Sequence, residues 1–240
     1  MPDSYLVCAT PRTGSSLLLG LLDSTGVGGH PQSYFRSPDE ESWARRWGLR
    51  EGYDYREFVA AARVAGTTPN GIFGAKVMWG THAELLTRLG PGDDLALLRE
   101  VFGDVRFVHV FREDVLAQAV SWARAEQTGR WYLGGRGEIS GGPAGDQGEP
   151  VFDAERISEL IATIEEHNEG WNSFFAKNRI NPVSVRYEDL DADMTATTER
   201  VLSFLGVEAE SPLTAFHQRQ ADRLNSDWIQ RYQAASIAGS

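Results

Sequence analysis

The stretch YLVCATPRTGSSLLLGLLDSTG, Tyr5 to Gly26, decides the fold of this chain. A β-branched and aromatic run, Tyr5–Ala9, enters a Thr-Pro-Arg-Thr-Gly turn, and Ser15 and Ser16 open a leucine-rich run. Strand, loop and helix in that order aim backbone N–H groups at an anion. The triphosphate signature G-x-x-x-x-G-K-[ST] is nevertheless absent. The loop holds one glycine, Gly14, and Arg12 stands where a lysine is expected. Pro11 stiffens the exit from the strand, and Gly14 lets the backbone approach a ligand closely. Thr13, Ser15 and Ser16 add hydroxyl donors, and Arg12 adds a permanent charge in a fork that matches a phosphate. An ordinary helix cap at Ser15 or Ser16 would account for the serines without any ligand.

Outward from that stretch, three more short runs read as strands: Ile72–Trp79, Arg106–Phe111 and Pro182–Tyr187. Helical patterns separate them, at 16–24, 55–65, 81–89, 93–102, 114–127, 153–178 and 194–205. The alternation predicts an α/β fold with a central parallel sheet flanked by helices on both faces. Ligands of such sheets bind beyond the carboxyl ends of the strands. Two segments lack clear periodicity. Pro31–Asp54 is rich in aromatics, arginine and acids and is expected to cover the site, and Thr128–Pro150 is Gly-rich and is expected to form a mobile loop or lid. No linker divides the 240 residues, so a single domain over 1–240 is expected.

A net charge of −11 argues against general affinity for nucleic acid or an anionic membrane, so a phosphate ligand needs a local basic pocket. Of the 23 basic residues only Lys76 and Lys177 are lysines, which draws notice to Lys76 inside the apolar run GIFGAKVMW. The single cysteine, Cys8, allows no disulfide within the chain and reads as a small core residue. No apolar run approaches the roughly 20 residues of a spanning helix, and no basic segment precedes the first apolar stretch. A cytoplasmic protein is the expectation.

Further elements join the loop. In RFVHVFREDVLAQAVSWARA, Arg112 follows a strand and precedes an amphipathic helix, which places it at the same sheet edge as Arg12. Two arginines at two strand ends suggest a ligand with more than one phosphate, whereas a surface ion pair with Glu113 or Asp114 is the plain alternative. In FHQRQADRLNSDWIQRY, Arg219 and Arg223 are four apart and share a helix face. In VSVRYEDL, Tyr187 ends the last strand, as a core aromatic or as a stacking surface for a base.

Together these blocks resemble the PAPS-dependent sulfotransferases, and more closely the bacterial trehalose 2-sulfotransferase family. CATPRTGSSLL is similar to that family's 5′-phosphosulfate loop, with Arg12 where most other sulfotransferases hold lysine. GVGGHPQSYF resembles its acceptor motif, TPNGIFGAKVMW its second strand, VFREDVLAQAVSWARA its 3′-phosphate element and RQADRLNSDWIQRY its C-terminal signature. The resemblance implies a single-domain sulfotransferase fold related to nucleotide kinases, 3′-phosphoadenosine-5′-phosphosulfate (PAPS) as donor, and no metal. Arg12, Thr13, Gly14, Ser15 and Ser16 would hold the 5′-phosphosulfate. Arg112, with Gln118 or Ser121, would hold the 3′-phosphate, with Arg219 and Arg223 nearby and Tyr187 beside the adenine. Lys76 would contact the transferring group from the carboxyl end of its strand. His30, Gln32, Ser33, Tyr34, Phe35 and Trp79 would line the acceptor side.

The chain departs from that family at Ser33, where the trehalose enzymes carry glutamate. A serine is no effective base near neutral pH unless another group activates it. Three readings follow. A neighbour such as His30, Glu40 or Glu41 serves as base, with His30 and Glu40 preferred; or the acceptor needs little help; or the protein binds the donor without turnover. The missing glutamate also weakens the transfer of trehalose itself as substrate, and points to another small hydroxylated acceptor, a sugar or a secondary metabolite. A non-catalytic PAPS-binding subunit and a nucleotide-dependent kinase are the alternatives, the kinase lacking both its lysine and its magnesium ligands. Relatives often pair as dimers, so the resemblance admits a homodimer or a heteromeric biosynthetic partner, while no feature of the sequence defines an interface.

Overall fold

β1 (Ser4–Ala9) is buried at every position and hydrogen-bonds to a parallel neighbour on each side. Its neighbours come much later in the chain of this computed structural model, which describes residues 1–131, 133–134, 149–209, 213–215, 217–218 and 223–238. After β1 come α1 (Ser15–Ser24), α2 (Ser37–Trp47), α3 (Tyr55–Gly66), β2 (Phe73–Met78), α4 (Trp79–Leu89) and α5 (Asp94–Phe102). Then follow β3 (Val105–Phe111), α6 (Val115–Thr128), β4 (Leu133–Gly134), α7 (Ala154–Lys177), β5 (Val183–Arg186) and α8 (Tyr187–Ala192). α9 (Met194–Leu205), β6 (His217–Gln218) and α10 (Arg223–Ala238) complete the order. The main sheet runs β2-β1-β3-β5, all parallel, as the alternation of strands and helices predicts. A short antiparallel pair, β4 with β6, carried no sequence signal.

Alternation along β1 divides the core into two layers. Leu6 and Cys8 join Phe73, Ala75, Val77, Phe107 and Trp171 beneath α2–α5 and α7. Tyr5, Val7 and Ala9 join Leu18, Leu22, Val108, Val185, Val201 and Leu205 beneath α1 and α9. Tyr5 is fully buried, and its hydroxyl donates to Gly28 O at 2.5 Å. Its ring occupies the space beside Gly74, where an added Cβ would lie 2.5 Å from it. A third cluster packs Trp228 of α10 against Ala119, Val120 and Ile157 on α6 and α7.

Pro31–Asp54, which shows no clear periodicity, contains a helix and part of the first core layer. α2 has Pro38 in its first turn with Asp39 and Glu40, then Arg45 and Arg46 in its last turn and a left-handed Gly48 closing it. Those are favourable start and stop signals for a helix. Tyr34, Phe35 and Trp43 are buried, with Tyr34 stacked on Phe73 and Phe35 set edge-on to Phe102. The Gly-rich segment expected over 128–150 lies largely outside the described residues.

Two histidines are buried in the layer facing α7. His82 sits among Trp79, Trp171 and Phe174, and His109 lies against Phe111 and Phe175. Burial pushes each imidazole down to about 4, so both are neutral in the folded protein at pH 7. Their folded values lie below the ordinary 6.5, so stability is complete above about pH 6.5 and falls as pH drops towards 4. Each contributes about 3 kcal/mol to that loss. Urea denaturation followed from pH 7 to pH 4 is expected to show it, and His109→Phe is expected to flatten the profile.

Candidate active site

The chain leaves β1 through two residues with left-handed backbone, Arg12 at φ 70° and Gly14 at φ 74°. Glycine adopts that conformation freely, whereas for Arg12 it costs roughly 1 kcal/mol or more. Gly14 is also required by space, since a Cβ there would lie 2.7 Å from Tyr187 Cδ2. Gly14, and neither serine, is the N-cap of α1; no side chain caps the helix and no acid lies in its first turn. By contrast α3, α5, α6, α7 and α9 each begin with an aspartate accepting a backbone N–H. The start of α1 therefore presents uncapped N–H groups, with about half a positive charge, beyond the end of β1.

The loop's side chains divide their work. Arg12 Nε donates to Ser121 Oγ at 2.9 Å, and its Nη1 donates to the carbonyl of Trp131. Desolvation, followed by repulsion from Arg112 and then offset by Tyr187, pushes the guanidinium down to about 10, so it stays charged at neutral pH. The hydroxyl of buried Thr13 turns inward to Thr10 O at 3.0 Å and braces the loop. Ser15 is buried in the first turn of α1. Ser16 Oγ accepts from Lys76 Nζ at 3.0 Å. Lys76 does not end its strand as expected: it lies inside β2, opposite Val7, on the face that meets α1. The residue is 9% exposed, and its length carries the ammonium to the helix start.

Across the edge, Arg112 follows β3, and its guanidinium carbon lies 4.5 Å over the Tyr187 ring. Tyr187 is the first residue of α8 and no longer part of the strand, and its ring rests against Gly14. Buried Arg112 Nε makes no hydrogen bond among the described residues, and its ion pair with Glu188 Oε1 is 4.0 Å long. The loop, Tyr187 and Arg112 thus pack in sequence along one edge. Gln118 is fully buried with its amide turned to the loop, donating to Thr10 Oγ1 and to Pro11 O, and so does not face an outer phosphate. Arg219 lies outside the described residues, as does the side chain of Arg223, whose backbone opens α10.

The acceptor-side expectations separate. Gln32 bridges to Ala75 alongside β2, and its carbonyl accepts from Lys76 N at 2.9 Å, so Ser33 follows at the level of Lys76. Trp79 begins α4 at the carboxyl end of β2, set edge-on to Trp171 at 5.1 Å. Tyr34 and Phe35 are core residues and do not line an opening. His30 lies towards the amino end of β2, with its exposed ring on Asp23 at 2.7 Å. Asp23 is eight residues along α1 from Ser15, about 12 Å by helix rise, which removes His30 from the loop. Glu40 accepts from both terminal nitrogens of Arg88 and from Tyr53 at 2.7 Å. Arg88 chiefly holds that carboxylate below its usual range, in the last turn of α4, about 13 Å of helix from Trp79. A carboxylate so engaged is a weak base, and neither preferred candidate reaches the edge.

The pairing of Gly14 with Tyr187 is checked by two alanine substitutions. Gly26 also has positive φ but nothing within 4 Å of a built Cβ, so Gly26→Ala is expected to cost only strain, about 1 kcal/mol. Gly14→Ala is expected to cost about 1–2 kcal/mol more by displacing Tyr187. Chemical denaturation of the two variants measures the difference, and equal losses would show that Tyr187 yields freely.

Among the described residues no helix is long and apolar enough to cross a membrane, and no group of three or more His, Cys, Asp or Glu side chains is placed to hold a metal. The sequence pattern of the Stf0 sulphotransferase family matches residues 4–235. A trehalose 2-sulfotransferase of Mycobacterium tuberculosis strain Erdman is 34% identical, over 96% of this chain and 94% of that protein. Its namesake in Mycolicibacterium smegmatis is 30% identical over the same shares. A solved sulfotransferase from Alicyclobacillus acidocaldarius shares 12% identity at a TM-score of 0.46, covering 99% of this chain and 93% of that one. With an uncapped helix start, Arg12 and Lys76 gathered at one strand edge, and a family pattern running nearly end to end, this chain belongs to the Stf0 sulphotransferases and is a sulfuryl-transfer enzyme.

Proposed function

We propose that the chain is one sulfotransferase domain, working in the cytoplasm, that moves a sulfuryl group from PAPS to a hydroxyl of a small molecule. The observation that carries this is the uncapped N-terminus of α1, with Arg12 in the loop that precedes it and Lys76 held on Ser16 in its first turn. A donor set of backbone N–H groups, a guanidinium and an ammonium suits a 5′-phosphosulfate and offers nothing to a magnesium ion. Sulfuryl transfer resembles phosphoryl transfer, in line through a loose transition state, so placement and charge stabilisation dominate. Arg12 and the N–H groups of Thr13 to Ser16 then donate to the oxygen on which charge develops, and Lys76 donates to the transferring group. Arg112, with its buried Nε free of hydrogen bonds among the described residues, takes the 3′-phosphate next to Ser121. Tyr187, already covered on one face by Arg112, sits beside the base.

The relatives are named for trehalose, which supports a sugar-like acceptor. Ser33 in place of their glutamate, with His30 and Glu40 held elsewhere, favours a hydroxyl acidic enough to need little help from a base. Calorimetry is expected to show 3′-phosphoadenosine 5′-phosphate (PAP) binding without magnesium, weakened about 10- to 100-fold in Arg112→Ala. Magnesium-dependent ATP binding indifferent to the 3′-phosphate would refute the donor assignment.

For the acceptor, transfer of labelled sulfate from PAPS into a panel of sugars and phenols is the measurement. Acidic hydroxyls are expected to outperform trehalose, and Ser33→Glu is expected to raise transfer to trehalose. Inactivity with every acceptor despite PAP binding would instead mark a donor-binding subunit.

A further inference from the structure

Gln118 is 0% exposed, yet it is neither a simple packing residue nor turned towards solvent. Its Nε2 donates to Thr10 Oγ1 at 2.8 Å and to Pro11 O at 2.7 Å. The orientation of this amide follows from chemistry, because Pro11 O can only accept and a flipped amide would set two acceptors face to face. Its Oε1 is buried and takes no hydrogen bond among the described residues. An unsatisfied buried carbonyl is a penalty that leucine or methionine would avoid. What the amide supplies in return is a pair of bonds to the two residues that precede left-handed Arg12.

The same face of α6 grips the loop twice. Ser121 is three residues beyond Gln118 and so lies one turn along that face, where it accepts from Arg12 Nε. Gln118 thus holds the backbone at Thr10 and Pro11, and Ser121 holds the side chain at Arg12. Both belong to the helix that follows Arg112. We infer that Gln118 is a positioning residue for sulfuryl transfer, fixing the entry of the loop so that Arg12 and the start of α1 meet the 5′-phosphosulfate. The inference rests on the assignment of that loop to the donor, and assigns Gln118 no contact with the 3′-phosphate.

The test compares two ligands by calorimetry: PAP, which carries both phosphates, and adenosine 3′-monophosphate, which lacks the 5′-phosphate. Gln118→Met keeps the length of the side chain and removes both donors. It is expected to weaken PAP roughly 10- to 100-fold, the scale of an ångström-sized misplacement, and to leave adenosine 3′-monophosphate unchanged. Thr10→Val removes one acceptor at nearly constant volume and is expected to give the same split with a smaller shift; if Gln118→Met does not fold, this variant decides. Parallel loss of both ligands would mean direct contact with the 3′-phosphate and overturn the inference. So would a folded variant with unchanged affinity for both, the result expected of packing alone. Failure of the unaltered protein to bind PAP would refute the donor assignment itself, separately from the role of Gln118.

Discussion

Everything at the working edge depends on one backbone reversal. Within five residues the chain must leave a fully buried strand, turn through Arg12 and Gly14 in left-handed conformation, and start a helix that points its N–H groups outward. Gly14 meets that demand at no strain, whereas Arg12 meets it against its own preference. Four restraints oppose that preference: Gln118 on Thr10 and Pro11, Thr13 on Thr10, Ser121 on the Arg12 side chain, and Tyr187 packed against Gly14. Strain kept at a functional turn persists only where surrounding structure over-determines it.

The strand–helix alternation, the parallel sheet and the edge that gathers Arg12, Arg112 and Tyr187 were legible in the residues, because periodicity and strand-end position report directly on them. Less legible was anything depending on which way a side chain turns. Gln118 and Thr13 read as side-chain ligand contacts, yet both spend their side-chain donors on the loop. Tyr34 and Phe35 share a motif with Ser33, yet the turn that follows it packs both into the aromatic layer. His30 and Glu40 are near Ser33 in sequence, yet helix rise carries His30 about a dozen ångströms along α1 from the loop and Glu40's partner Arg88 a similar distance along α4 from Trp79. α2 lacks a clear apolar period, although its Pro38, Arg45, Arg46 and Gly48 mark both ends.

The electrostatic setting is a contrast of scales. A chain of net charge −11 repels anions at long range, while Arg12 feels the charges of Arg112 and Arg124 at short range. Screening at physiological salt acts over about 8 Å, which mutes the distant acids more than the neighbouring cations. The donor proposed above would therefore be held by contact geometry and gain little from long-range steering.

The register of β1 has a consequence for biosynthesis. Its partners begin at Phe73 and Val105, about 70 and 100 residues after Ser4, so the central strand is translated before either neighbour exists. At roughly 5–20 residues per second, its second edge waits on the order of 5–20 seconds for β3. Throughout that interval an uncharged, strand-forming segment, Tyr5–Ala9, emerges with its hydrogen-bonding groups unpaired. The strand that organises the finished enzyme thus waits longest after its own synthesis for both of its edges to be covered.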